Sequence, residues 1–102
     1  MTDKYILDGR EAVPCHDLTE WGTWFENADR HVAKDEIGDV KISTIFLGLD
    51  HSFGQGPPLL FETMVFGGDA DGDMDRYSTW EEAEQGHAAF VTRFQSDEGS
   101  HD

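Results

Sequence analysis

The pair Asp50-His51 closes one apolar run of the chain and Glu62 interrupts the next. These three side chains are the candidates for acid/base chemistry or for holding a small ligand or metal, because loops beyond strand ends expose groups that a rigid scaffold holds in place. A carboxylate such as Glu62 within an apolar strand needs a partner, for which Lys41, His51 and Arg93 are available, or its pKa rises. The plainer expectation is that Glu62 faces solvent at an edge or pairs across a sheet.

A second cluster lies in Asp69-Ala70-Asp71-Gly72-Asp73-Met74-Asp75. With Asp71 at the first position of a calcium loop, Asp73 and Asp75 fall at the third and fifth. Tyr77 then offers a carbonyl at the seventh, Thr79 stands at the ninth and Glu82 at the twelfth. Asp71, Asp73, Asp75 and Glu82 are therefore the candidate ligands of a Ca2+ ion. Against this, Arg76 holds the sixth position, where a glycine normally makes the turn, Ser78 replaces an apolar residue, and a strand rather than a helix precedes the loop. A solvated loop that caps a helix explains the same acids, so no cofactor is expected and Ca2+ is the alternative.

The remaining reactive side chains point to less. Cys15 beside His16 has the types of a nucleophile and base, but neighbours in an extended segment project oppositely and no orienting third group can be named. His87 falls on an apolar stripe and reads as a packed core histidine. The glycines of GLDHSFGQGPP have the wrong spacing for a phosphate loop and no Lys-Ser/Thr follows them. With no nucleophile paired to a base, the chain reads as a binding protein rather than an enzyme.

Several elements must position these groups. Tyr5-Ile6-Leu7 reads as a short strand turning at Asp8-Gly9, with a loop at Pro14. Asp17 with Glu20 predicts a helix start, and Leu18, Trp21, Phe25 and Ala28 define the inner face of a helix over 17–29. Trp24 is offset from that stripe, which makes it, with Phe53, a candidate interface residue. His31 to Glu36, Val40 to Leu47 and Leu59 to Phe66 read as strands, the last two joined by a long loop. Thr79 and Glu82 form a capping box ahead of a helix over 80–95, with Trp80, Ala83, His87, Phe90 and Phe94 inward.

The order β-α-β-β-β-α predicts an α+β fold: an antiparallel sheet of three to four strands with two helices packed on one face. Residues 1–95 are expected to form a single domain and 96–102 an acidic, disordered tail. The hairpin strands carry apolar residues at both parities, so a homodimer over the far face is a further expectation.

Seven basic residues against 22 acidic ones give the 102-residue chain a formal charge of −15. Bare nucleic acid and anionic membranes are poor partners for such a field, and a protein with a basic surface is a favourable one. A habitat of concentrated salt would account for the same charge, and a nucleic-acid mimic would need its carboxylates in rows on one face. A lone cysteine and an apolar opening too short for a signal peptide lead to the expectation of a cytoplasmic protein.

The run Ser43-Thr44-Ile45-Phe46-Leu47-Gly48-Leu49-Asp50-His51 continues through Phe53-Gly54 and Gly56-Pro57-Pro58-Leu59-Leu60-Phe61-Glu62-Thr63-Met64-Val65-Phe66-Gly67-Gly68. It resembles a widespread family of short proteins encoded by tailed phages and prophages. Trp24-Phe25-Glu26, Asp29 to Ala33, Tyr77 to Glu84 and Gly86-His87 fit the same pattern, so the resemblance covers most of the chain. It implies a phage or prophage origin and a role in the host cytoplasm during infection, without implying an activity. The resulting expectation is an accessory protein that binds a host or phage protein through an acidic surface, in host takeover or against host defence. The alternative is a small ligand-binding or metal-binding protein or enzyme built on Asp50, His51 and Glu62.

Overall fold

The computed structural model describes residues 2–53 and 56–99. Its elements run β1 (Tyr5–Asp8), β2 (Glu11–Pro14), α1 (Leu18–Asn27), β3 (His31–Ile37), β4 (Val40–Phe46), β5 (Phe61–Phe66), β6 (Met74–Tyr77) and α2 (Trp80–Gly99). The class is α+β, with a four-stranded antiparallel sheet in the order β3-β4-β5-β6 and a separate β1-β2 hairpin. Two strands are thus added to the expected order. Helix α2 continues four residues beyond position 95, and residues 100–102 of the expected tail lie outside the described residues.

Alternation along the two central strands builds the core. Ile42, Thr44 and Phe46 of β4 and Phe61, Thr63 and Val65 of β5 are fully enclosed beneath α2, whereas their neighbours project to the opposite face. Helix α2 packs across all four strands of the sheet. One core cluster gathers Phe46, Leu60, Phe61 and Ala83, and a second gathers Ile42, Val65 and Phe94. Each large side chain so buried contributes about 1.5–3 kcal/mol relative to exposure. Only eight apolar residues are buried among those described, so this small core leaves polar pairings a visible share in holding the sheet and helix together.

The N-terminal segment, read as one strand and a loop, is a hairpin closed by the pair Asp8–Glu11. It is stitched to the chain just after β4: Tyr5 N–H donates to the Gly48 carbonyl and Asp50 N–H to the Asp3 carbonyl, both at 2.8 Å. Pro14 closes β2 opposite Tyr5, an edge position where a missing N–H is tolerated. Gly48 takes φ 76°, and a β-carbon there would press on the Phe25 ring at 3.0 Å, so only glycine suits this junction.

Helix α1 starts where the sequence places it, with the Asp17 side chain accepting from Glu20 N–H. Trp21, Phe25 and Ala28 of the expected inner face are half-buried, and the face widens to take in Trp24 while Leu18 is left out. Leu18 is 66% exposed, while the Trp24 ring meets Phe46 edge-on at 5.7 Å. The Trp21 indole N–H is shared between the Tyr5 and Gly48 carbonyls at 3.1 Å each. Trp24, which finds the Phe46 ring, displaces the terminal leucine from that face.

Candidate functional site

The hairpin loop does not bring Asp50, His51 and Glu62 into one site. Asp50 Oδ1 accepts from Ser52 N–H at 2.8 Å and from Leu59 N–H at 3.0 Å, tying the two ends of the loop together. Burial raises the cost of its charge, but the Ser52 N–H, the Ser52 hydroxyl by proximity rather than as a formed bond, the Leu59 N–H and the adjacent His51 outweigh it and hold the carboxyl below its ordinary 3.8. Asp50 is thereby a loop brace. Glu62 stands in β5 directly opposite Arg76 of β6, and its Oε2 accepts from Arg76 Nε at 3.0 Å in a part-buried ion pair. The partner is none of Lys41, His51 and Arg93 but Arg76, which only the β5-β6 pairing brings alongside.

The calcium reading of the acidic stretch is corrected by β6. Met74 to Tyr77 are extended and hydrogen-bonded to β5, so Asp75 and Tyr77, the fifth and seventh positions of the supposed loop, are drawn out along a sheet edge. Each acid has another role. Asp71 accepts from Gly67 N–H at 2.7 Å, Asp73 pairs with Arg93 at 3.0 Å, and Asp75 accepts from Arg76 N–H. Glu82 completes the capping box, accepting from Ser78 and Thr79 N–H while Thr79 Oγ1 accepts from Glu82 N–H, all at 3.1 Å. Among the described residues no three His, Cys, Asp or Glu side chains are grouped to hold a metal ion.

His87 is buried at 5% exposure and joins a chain of polar groups that the sequence did not reveal. Its Nε2 lies 2.7 Å from Asp35 Oδ2 on β3 and its Nδ1 2.7 Å from Thr44 Oγ1 on β4, which in turn is 2.5 Å from Thr63 Oγ1 on β5. A carboxylate only accepts, so Nε2 donates to Asp35; with a neutral ring, Nδ1 accepts from Thr44 and Thr63 donates to Thr44. Asp, His and hydroxyl in this order form the outline of a base-activated nucleophile. Thr44 and Thr63 have no exposed surface, however, so no substrate can reach either hydroxyl, and the chain acts as a polar pin between sheet and helix.

Beside this pin the Tyr77 ring lies against Gly86, where any β-carbon would collide with it. Burial pushes the Tyr77 phenol above its ordinary 10.0; the Thr63 hydroxyl opposes the rise and Asp75 adds to it. The buried Tyr77 oxygen has no partner in good hydrogen-bond geometry, so Thr63 acts on it by proximity rather than as a formed bond.

A cleft of about 620 Å³ opens between the β1-β2 hairpin, the segment before β5 and the start of α2. Asp8 and Glu11 from the hairpin and Glu81 from α2 bring three carboxylates to its wall, with the Tyr5 and Trp80 rings beside them. Arg10, the cation of the lining, stacks over Trp80 at 5.5 Å and reaches Glu84 at 4.0 Å. The Trp80 indole nitrogen is buried without a hydrogen-bond partner. The cleft is not legible in the sequence, because its walls come from three separated segments and no local spacing records their meeting. Of the two proposed interface residues, Trp24 turns its ring onto Phe46, whereas Phe53 stands 87% exposed at a left-handed φ of 56°. Cys15 is buried and His16 exposed, as oppositely directed neighbours must be.

Fold and cleft together describe an α+β chain with an acidic, aromatic-lined recess. Comparison with protein-family models, with curated proteins and with solved structures finds no match to this chain.

Proposed function

We propose that the chain is an accessory binding protein of phage or prophage origin that acts in the host cytoplasm by capturing a protein with a basic surface. The observation that carries this reading is the cleft, where Asp8, Glu11 and Glu81 surround two aromatic rings. A lysine or arginine side chain inserted there would gain charge pairing from the carboxylates and ring contact from Tyr5, beside the Arg10 guanidinium that stacks over Trp80. The net charge of −15 would steer such a partner toward the surface before it docks.

Titration with a lysine-rich and an arginine-rich peptide, followed calorimetrically at low salt, tests the reading. Binding should weaken steadily as salt is added, and the triple variant Asp8→Asn, Glu11→Gln, Glu81→Gln should bind at least about tenfold more weakly, the effect of roughly 1.4 kcal/mol. Equal affinity of the triple variant and the parent, or no binding of either peptide at low salt, would remove the cleft as a basic-side-chain site.

A further inference from the structure

The face of the four-stranded sheet turned away from α2 differs from the rest of the surface in charge. Directly paired residues share a face, so the register defines it in three rows: Glu36, Lys41 and Phe66; Lys34, Ser43, Met64 and Met74; and His31, Ile45, Glu62 and Arg76. Phe66 is 45% and Met74 43% exposed, with Ile45 and Met64 half-buried between them. Three basic residues here meet two acidic ones, in a chain of seven basic and 22 acidic residues. That leaves four basic against 20 acidic residues for all other positions. Both acids of the face are already paired, Glu36 with Lys41 at 3.7 Å and Glu62 with Arg76 at 3.0 Å.

Two copies of a chain this acidic repel one another through almost any surface, and a face with balanced charge around four apolar side chains is the one that can approach its own image. A basic partner, by contrast, gains nothing from carboxylates that are already matched. We infer that this face receives a second copy of the chain, the two sheets packing face to face about a two-fold axis with Met64 near the centre and Phe66, Met74 and Ile45 around it. Edge-to-edge pairing is the poorer arrangement, since β3 carries Lys34, Asp35 and Glu36 and β6 carries Asp75 and Arg76 along the outer strands. The cleft at the start of α2 stays open in this dimer, because α2 lies on the other side of the sheet.

A face four strands wide and six residues long projects on the order of 400 Å². That is short of the ~800 Å² per partner of a standard interface, so the dimer is a weak one whose population depends on protein concentration. Its charge gives it a distinctive signature: screening removes the repulsion between the acidic remainders, so self-association strengthens with salt. Capture of a basic peptide weakens with salt, and failure of either proposal is thereby read separately.

Sedimentation equilibrium over a protein concentration series, in low and in molar salt, tests the inference. The parent should shift from monomer toward dimer with concentration, and the shift should begin at lower concentration in molar salt. The variant Phe66→Lys/Met74→Lys changes two side chains that are exposed in the monomer. It should melt as the parent does and self-associate at least about thirtyfold more weakly. A parent that stays monomeric throughout both series, a variant that dimerises as well as the parent, or a dimer that dissociates as salt is raised would each overturn the inference. So would loss of peptide binding in the monomeric variant, which would assign the face to a basic partner instead.

Discussion

Thr44 has a role that its residue type alone would not suggest. Its hydroxyl stands between His87 and Thr63, with no exposed surface, and it transmits the polar chain from β5 through the helix to Asp35. Thr44→Val keeps the shape and removes the link, leaving the buried Nδ1 of His87 without a partner. Chemical denaturation should show a loss of about 1–3 kcal/mol, the cost of an unsatisfied buried polar group. An unchanged midpoint would mean that the pin holds nothing. His87 was legible as a core residue because it falls on the helical stripe. Its partners were not, because Asp35 lies 52 positions away and Thr44 lies 43, and no periodicity in a single segment encodes such a meeting.

Among the elements, α2 and β6 show how a local signal can be right or misleading. The helix start was fully written in Thr79 and Glu82, whose reciprocal hydrogen bonds form as the capping box requires. The strand was hidden by its charge: Met74-Asp75-Arg76-Tyr77 alternates, sending Asp75 and Tyr77 to the α2 side and Met74 and Arg76 to the other, but its acidity resembles a loop. The two elements meet where Tyr77 fills the space left by Gly86 in the helix. Glycine is a poor helix former, so on propensity alone Gly86→Ala would stabilise α2 by roughly 1 kcal/mol. Overpacking against the tyrosine ring costs about 1–3 kcal/mol and should win, so the alanine variant is expected to melt below the parent in calorimetry. A higher melting temperature would show that Tyr77 can move aside.

At the scale of the whole molecule, unpaired negative charge is spread over the elements, and the far face of the sheet is where acids and bases balance. Exposed acids stand on the hairpin at Asp8 and Glu11, on α1 at Glu20 and Glu26, in the turn at Asp39, through Asp69 to Asp75, and on α2 at Glu81, Glu82 and Glu84. This all-round distribution is that of a solubilising surface rather than of phosphate-like rows on one side. Its self-repulsion weakens as salt shortens the Debye length from ~10 Å at 0.1 M to ~3 Å at 1 M. Thermal melts of the Phe66→Lys/Met74→Lys variant, which removes any contribution from self-association, should therefore shift upward across that salt range. A flat or falling series would show that the charges are already balanced locally.

The amino-acid sequence by itself determined the α+β class, three of the sheet strands, both helix starts and the sign of the electric field, since each rests on composition or on periods within a few neighbouring residues. Only the tertiary structure decided what the polar groups do. It paired Glu62 with Arg76, made Asp50 a loop brace, drew Asp75 into a strand while Asp71, Asp73 and Glu82 took other partners, and brought Asp8, Glu11 and Glu81 around one cleft. These outcomes depend on strand register and on the packing of distant segments, and a side chain's chemistry follows from the neighbour that register supplies.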